Sequence, residues 1–213
     1  MTLDELLQRA YVWRAGAGMP LVRAGLASGY SALDDILPGG GWPRSGLTEI
    51  LSTVTGIGAL RLVLPALARL SREGRWIIWV APPHVPYSPA LHGYGLDLTR
   101  VLVVDLPEDE ASTRVQTLWA YEQALRFGDC GAALLWQDTI SNLRLRRLQI
   151  AAETSATWGL VFRPARCAAQ PSPAPLRLEI EALPDVLASA SSLRVSLRKA
   201  RGAQAGLQCQ LEL

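Results

Sequence analysis

Residues 75–81 read Arg-Trp-Ile-Ile-Trp-Val-Ala, with five bulky apolar side chains in succession. A strand with one wet face alternates, so an unbroken apolar run bounded by turn residues describes a strand covered on both faces, the hallmark of a parallel sheet. Short apolar runs recur at 100–105, 131–136 and 158–162, and Leu47 to Leu51 reads as a further short strand. Helical patterns separate them at 58–73, 89–95, 109–127 and 141–154. This alternation predicts right-handed crossovers and an open α/β sheet with helices on both faces. Pro65 falls inside the first of these helices, where a kink or a late start is expected. At 213 residues and 49% hydrophobic, the chain is long enough for one substantial core.

The pattern changes after Arg163. Residues 166–175 read as a loop, and 176–182, 193–198 and 207–213 alternate with period two, predicting an antiparallel extension with one wet face. Upstream, Leu3 to Trp13 carries a helical apolar stripe that ends before Gly16 and Gly18. Ser28 to Leu37 contains a short helix that Ser31 is expected to cap. The expected organisation is an N-terminal helix and linker over 1–24 and a main domain over 25–213.

Between the strand at 47–51 and its helix lies Glu49-Ile-Leu-Ser-Thr-Val-Thr-Gly-Ile-Gly-Ala-Leu60. A working phosphate loop, Gly-x-x-x-x-Gly-Lys-Ser/Thr, uses backbone N–H groups, a lysine and a hydroxyl to hold phosphates and magnesium. Here Ser52, Gly56, Gly58 and Ala59 form a degenerate version, with Gly58 and Ala59 in the Lys and Ser/Thr places. The sole lysine of the chain is Lys199. No cofactor is therefore expected, and ATP hydrolysis is a poor reading. Nucleophilic and metal chemistry fare no better. Cys130, Cys167 and Cys209 lie far apart with only His84 and His92 for company, and no Gly-x-Ser-x-Gly elbow is present. The acidic connector 105–110 reads as a helix N-terminus. Neither a secretory leader nor a membrane-length apolar run is visible, so a cytoplasmic location is expected.

The net charge of +2 gives no global basic field, so contact with nucleic acid needs a local patch. Arg144, Arg146 and Arg147 form one candidate, for DNA or a protein partner, beside the plainer reading of a solvated helix face. The tryptophans at 42, 76, 79, 119, 136 and 158 are mostly assigned to core packing. Trp13, with Leu6, Leu7 and Tyr11 on the N-terminal helix, is a candidate partner-binding element or a helix packed on its own sheet.

The run Leu26-Ala-Ser-Gly-Tyr-Ser-Ala-Leu-Asp-Asp-Ile-Leu-Pro-Gly-Gly-Gly-Trp-Pro-Arg-Ser-Gly-Leu-Thr-Glu-Ile50 is similar to the lead-in of the RecA recombinase core. Together with the degenerate loop and Gly74-Arg-Trp-Ile-Ile-Trp-Val-Ala-Pro-Pro83, it resembles the ImuA family of bacterial mutagenesis cassettes, and more distantly the division inhibitor SulA. The resemblance implies a RecA-like core: a mostly parallel central sheet flanked by helices, with an antiparallel C-terminal extension. It places Pro83 or a neighbour where the water-activating glutamate belongs, and Phe162-Arg163-Pro164 where a γ-phosphate sensor belongs. Asp138 is the retained acidic residue after the strand at 131–136, or a cap of the next helix. Lys199 and Arg201 resemble basic residues that cross a filament interface, or are solvated charges on a turn. The implied function is a non-catalytic accessory protein of SOS mutagenesis and translesion synthesis. It would bridge an ImuB-type Y-family polymerase homologue, RecA and an error-prone replicative-type DNA polymerase, with direct or indirect DNA contact and self-association both open. The alternatives are a residual DNA-dependent ATPase and a SulA-like inhibitor of the division GTPase.

Overall fold

The computed structural model describes residues 24–54, 56, 58–106, 112–183, 192–202 and 206–213. The expected helix at 3–13, and with it Leu6, Leu7, Tyr11 and Trp13, lies outside them. The described elements run α1 (Ser31–Asp34), β1 (Gly46–Ser52), α2 (Ala59–Arg72), β2 (Trp76–Val80), α3 (Ser88–Gly93), β3 (Val101–Val104), α4 (Ser112–Arg126), β4 (Cys130–Trp136), α5 (Asn142–Thr154), β5 (Trp158–Pro164), β6 (Leu176–Ala182), β7 (Ser192–Ala200) and β8 (Gln208–Glu212). The strands form one eight-stranded sheet in the order β3-β2-β4-β5-β1-β6-β7-β8.

Neighbouring strands from β3 through β6 are parallel, and only the β6–β7 and β7–β8 pairings are antiparallel. The expectation of a RecA-like core carrying an antiparallel extension is corrected here. β6 is not part of an add-on: it pairs parallel with β1 from Thr48–Leu176 to Ser52–Ile180, so the C-terminal strands continue a single sheet. Five α-helices accompany the eight strands among the described residues. Residues 176–182 form a strand as their alternation predicts, but its expected wet face is closed, with Arg177 and Glu179 buried. Each is held by an opposite charge, which permits burial that polarity alone forbids.

The sheet has two apolar faces. On one, Leu62, Val63, Ala66, Leu67 and Leu70 of α2 pack on Ile50, Ile77, Trp79, Leu134 and Leu160, together with Leu33 and Trp42 of the lead-in. On the other, Tyr121, Ala124 and Leu125 of α4 and Leu145, Leu148 and Ala152 of α5 cover Leu47, Ile78, Ala133, Leu135 and Val161. β3 departs from expectation. The run at 100–105 reads as a buried strand, yet β3 lies at the sheet edge with Leu102 and Val103 exposed.

Pro65 does not interrupt α2. A proline at this position cannot donate to the carbonyl four residues back, that of Arg61. Tyr30 Oη donates to that carbonyl at 3.4 Å, supplying the missing partner from the lead-in segment. Close approach is needed for this: a Cβ on Gly29 would lie 2.7 Å from Pro65 Cβ. Ser31 is not the cap of α1. Tyr30 occupies that position without a side-chain cap, while Ser28 Oγ accepts from the Tyr30 N–H at 3.0 Å and Asp34 Oδ1 accepts from the Ser28 N–H at 2.9 Å.

Candidate functional site

Ser52, Gly56, Gly58 and Ala59 lie at the turn from β1 into α2, where Gly56 faces open space and Gly58 faces leucines. Gly58 caps α2 at φ 100°, a left-handed conformation that favours glycine. A Cβ there would lie 2.5 Å from Leu213 Cδ1 and 3.6 Å from Leu193 Cδ1. Leucine side chains thus occupy the space that a phosphate-gripping lysine would have to cross. At the C-terminal ends of β2, β4 and β5 stands an aromatic row. Trp79 and Trp136 centroids are 5.6 Å apart, and Trp136 stacks on Phe162 at 4.8 Å with an interplanar angle of 12°. Pro83 lies nearby in a groove of about 550 Å³ lined by Pro82, His84, Val85, Leu91 and Asp105 among others. Stacked aromatic side chains thus cover the ends of β2, β4 and β5.

Under the same strand lies the principal charged centre. Glu49 is fully buried in the middle of β1 and binds two buried arginines, Arg163 Nη1 to Oε1 at 2.9 Å and Arg177 Nε to Oε2 at 2.5 Å. One carboxylate neutralises only one guanidinium, and carbonyls take the remaining donors. Arg163 also donates to Asp138 O and Gln170 Oε1, and Arg177 donates to the carbonyls of Cys167, Ala168 and Gln170. The cluster ties the turn after β4 and the segment 165–170 to β1. Sequence reasoning missed it. The available signal was a glutamate in the apolar strand Leu-Thr-Glu-Ile-Leu, which demands a partner.

Asp138 does not cap α5. Ser141 does, accepting from the Arg144 N–H at 3.3 Å, while the exposed Asp138 carboxylate pairs with Arg166 at 2.6 Å. Lys199 Nζ donates to Ser172 O at 2.8 Å, and burial, followed by the charges of Arg177 and Arg201, lowers its pKa. Arg201 pairs with Glu153 of α5 at 3.4 Å. Both residues thus have partners within the chain. Among the described residues no group of three His, Cys, Asp or Glu side chains is placed to hold a metal ion. Burial pushes the Cys130 thiol up to about 12 and the Cys209 thiol to about 11, far from the reactive thiolate range.

Arg144, Arg146 and Arg147 lie on the outer side of α5, where α5 packs beside α4. Arg147 Nε bonds Glu122 of α4 at 2.7 Å, and Arg126 bonds the same carboxylate at 3.0 Å. Burial alone would raise the Glu122 pKa, but these two arginines outweigh it and hold the group below the usual carboxylate range. Arg146 donates to Asn142 Oδ1 at 3.2 Å. Trp119, one of the six tryptophans mostly assigned to the core, is instead exposed on α4, three residues before Glu122. No single inward face of α4 is legible from its residues, because Val115, Leu118, Trp119, Tyr121 and Leu125 are spread around the helix. Among the described residues no helix is long and apolar enough to cross a membrane.

A family model described as cell division inhibitor SulA matches residues 48–159, just over half of the chain. The cell division inhibitor SulA of Photorhabdus laumondii is 31% identical over 104 residues, covering 49% of this chain and 56% of that protein. The protein of the same name from Edwardsiella piscicida is 31% identical over 123 residues, covering 57% of this chain and 70% of its own length. A crystal structure of SulA from Pseudomonas aeruginosa aligns at 26% identity with a TM-score of 0.45, covering 55% of this chain and 97% of that one. The family model and the curated relatives overturn the closer resemblance to ImuA. The implied partners fall with it: the ImuB-type polymerase homologue, RecA and the error-prone polymerase, together with translesion synthesis as the setting. The more distant resemblance was the informative one: the family match begins at residue 48, so the broken loop and the run 74–83 lie inside it while nearly all of the lead-in lies outside. The matched stretch runs from β1 to the start of β5 and includes α4 and α5.

Proposed function

Since the chain belongs to the SulA family of cell division inhibitors, we propose that it restrains bacterial cell division by binding a component of the division machinery, the division GTPase, without catalysing a reaction. The observation that carries this reading is the family match across residues 48–159. The chain spans 56% of the length of the Photorhabdus relative, so the activity of the whole relative comes to it only as a proposal. Stoichiometric binding suits what the structure holds. The loop before α2 faces leucines, the ends of β2, β4 and β5 carry stacked aromatics, and the buried charges are saturated by internal partners. For the same reasons the alternative of a residual DNA-dependent ATPase has no supporting geometry.

Two measurements test the reading together. Induced expression in growing bacteria is expected to give long undivided cells, and the purified chain is expected to lower the polymer recovered by sedimentation of the purified division GTPase. Normal cell length at high expression, with unchanged polymer yield, overturns it.

A further inference from the structure

We propose that the outward face of α4 and α5 is the docking surface for an acidic, apolar-ridged protein partner. On the division-inhibitor reading, on which this proposal rests, that partner is the division GTPase.

The face combines two properties that seldom occur together without use. Val115 and Trp119 on α4 are 57% and 62% exposed, and Leu143 and Ile150 on α5 are 78% and 62% exposed. Single exposed apolar side chains need no explanation, but a group around one point marks an interaction site. The Glu122–Arg147 ion pair supplies that point by locking the two helices together at 2.7 Å. Trp119 stands three residues before Glu122, while Leu143 and Ile150 stand four before and three after Arg147, so helical spacing sets all three around the pair.

Charge decides the kind of partner. Over their lengths α4 and α5 carry five arginines against two glutamates, whereas the whole chain has a net charge of only +2. Both glutamates are engaged, Glu122 by Arg126 and Arg147 and Glu153 by Arg201. Arg114 and Arg144 are exposed and make no ion pair among the described residues. Tryptophan and arginine around an apolar centre are the residue types that dominate binding energy at protein interfaces. An acidic rim on the partner would complete the pattern and speed encounter. A nucleic acid fits less well: Trp119 is the one stacking surface on this face, the other three exposed apolar side chains are aliphatic, and two of the five arginines already share a carboxylate.

The test uses the full chain and the purified division GTPase, with binding read by sedimentation and by a labelled titration at rising salt. Wild-type protein is expected to bind with an affinity that weakens as salt rises. Trp119→Glu, and separately Arg144→Glu with Arg146→Glu, are expected to weaken binding about tenfold or more. Helical content by circular dichroism should stay unchanged, and Arg194→Glu on β7 serves as a control that binds normally. Wild-type binding with both surface variants equally active overturns the docking face and leaves the division-inhibitor reading standing. No wild-type binding and no filamentation overturn that reading and the docking face with it. Saturable binding of a short single-stranded oligonucleotide that is lost in Arg144→Glu/Arg146→Glu, with GTPase binding retained, overturns the choice of a protein partner.

Discussion

Two groups of arginines in this molecule are chemically alike and placed in opposite circumstances. Arg163 and Arg177 are buried against Glu49, and carbonyl oxygens take their remaining donors. Arg144 and Arg146 stand on the outer side of α5 with few acceptors in reach. The contrast teaches that a guanidinium's role is set by how many of its donors the fold itself satisfies. Saturated arginines hold segments together, and unsaturated ones are free to meet another molecule. Arg126 and Arg147 fall between the extremes, joining α4 to α5 through Glu122 at the base of the exposed face.

The largest effect should come from the buried group. Glu49→Gln leaves two buried guanidinium groups without a counter-charge, and it is expected to destabilise the fold by about 3–5 kcal/mol in urea denaturation. A loss below about 1 kcal/mol would break the contrast, because the cluster would then be no more structural than a surface pair. Gly58→Lys follows. It forces a side chain against Leu213 at a positive φ, and a loss of about 2–3 kcal/mol is expected, with no gain of nucleotide binding in a fluorescent-ATP titration. Restored nucleotide binding would show that the leucines yield readily.

The Glu122 group should register more weakly and in a pH-dependent manner. Its folded pKa is depressed, so its stabilisation is present above the unfolded carboxylate value near 4.3 and is lost as pH falls through the lower folded value. Arg147→Ala is expected to cost about 1 kcal/mol at neutral pH, and to flatten this acid limb when melting is followed between about pH 6 and pH 2. An unchanged acid limb would place the restraint elsewhere. The smallest stability effect belongs to the exposed face: Trp119→Ala should change the unfolding free energy by less than about 0.5 kcal/mol. A larger loss would mean that Trp119 serves packing, and the contrast between buried and outward residues would blur.

What the sequence disclosed follows the same line. Apolar runs located β2, β4 and β5 to within one or two residues, because strands covered on both faces tolerate little polarity, and β1 was legible as a short strand despite Thr48 and Glu49. Period two misled at β6, where Arg177 and Glu179 mimic a wet face while lying buried beside opposite charges. Arg163 was read for the amide it lacks as a phosphate sensor, while its salt bridge to a residue 114 positions away left no local trace. The apolar run at 100–105 carries no mark that separates an edge strand from a central one, so Leu102 and Val103 were placed inside. Trp119 was hidden by a helix whose apolar residues point in several directions. The broken phosphate loop was legible as a loss, but its leucine lining comes from β7 and the C-terminal residue, far along the chain.

Glu49 lies inside the stretch matched by the SulA family model, residues 48–159, while Arg163 and Arg177 both lie outside it. Excising the matched stretch as a recombinant fragment would strip β1 of its β6 neighbour and leave the Glu49 carboxyl among leucines without either arginine. A fragment cut to the matched stretch is therefore expected to fold poorly beside the full chain, so that surface substitution maps the activity more safely than trimming does.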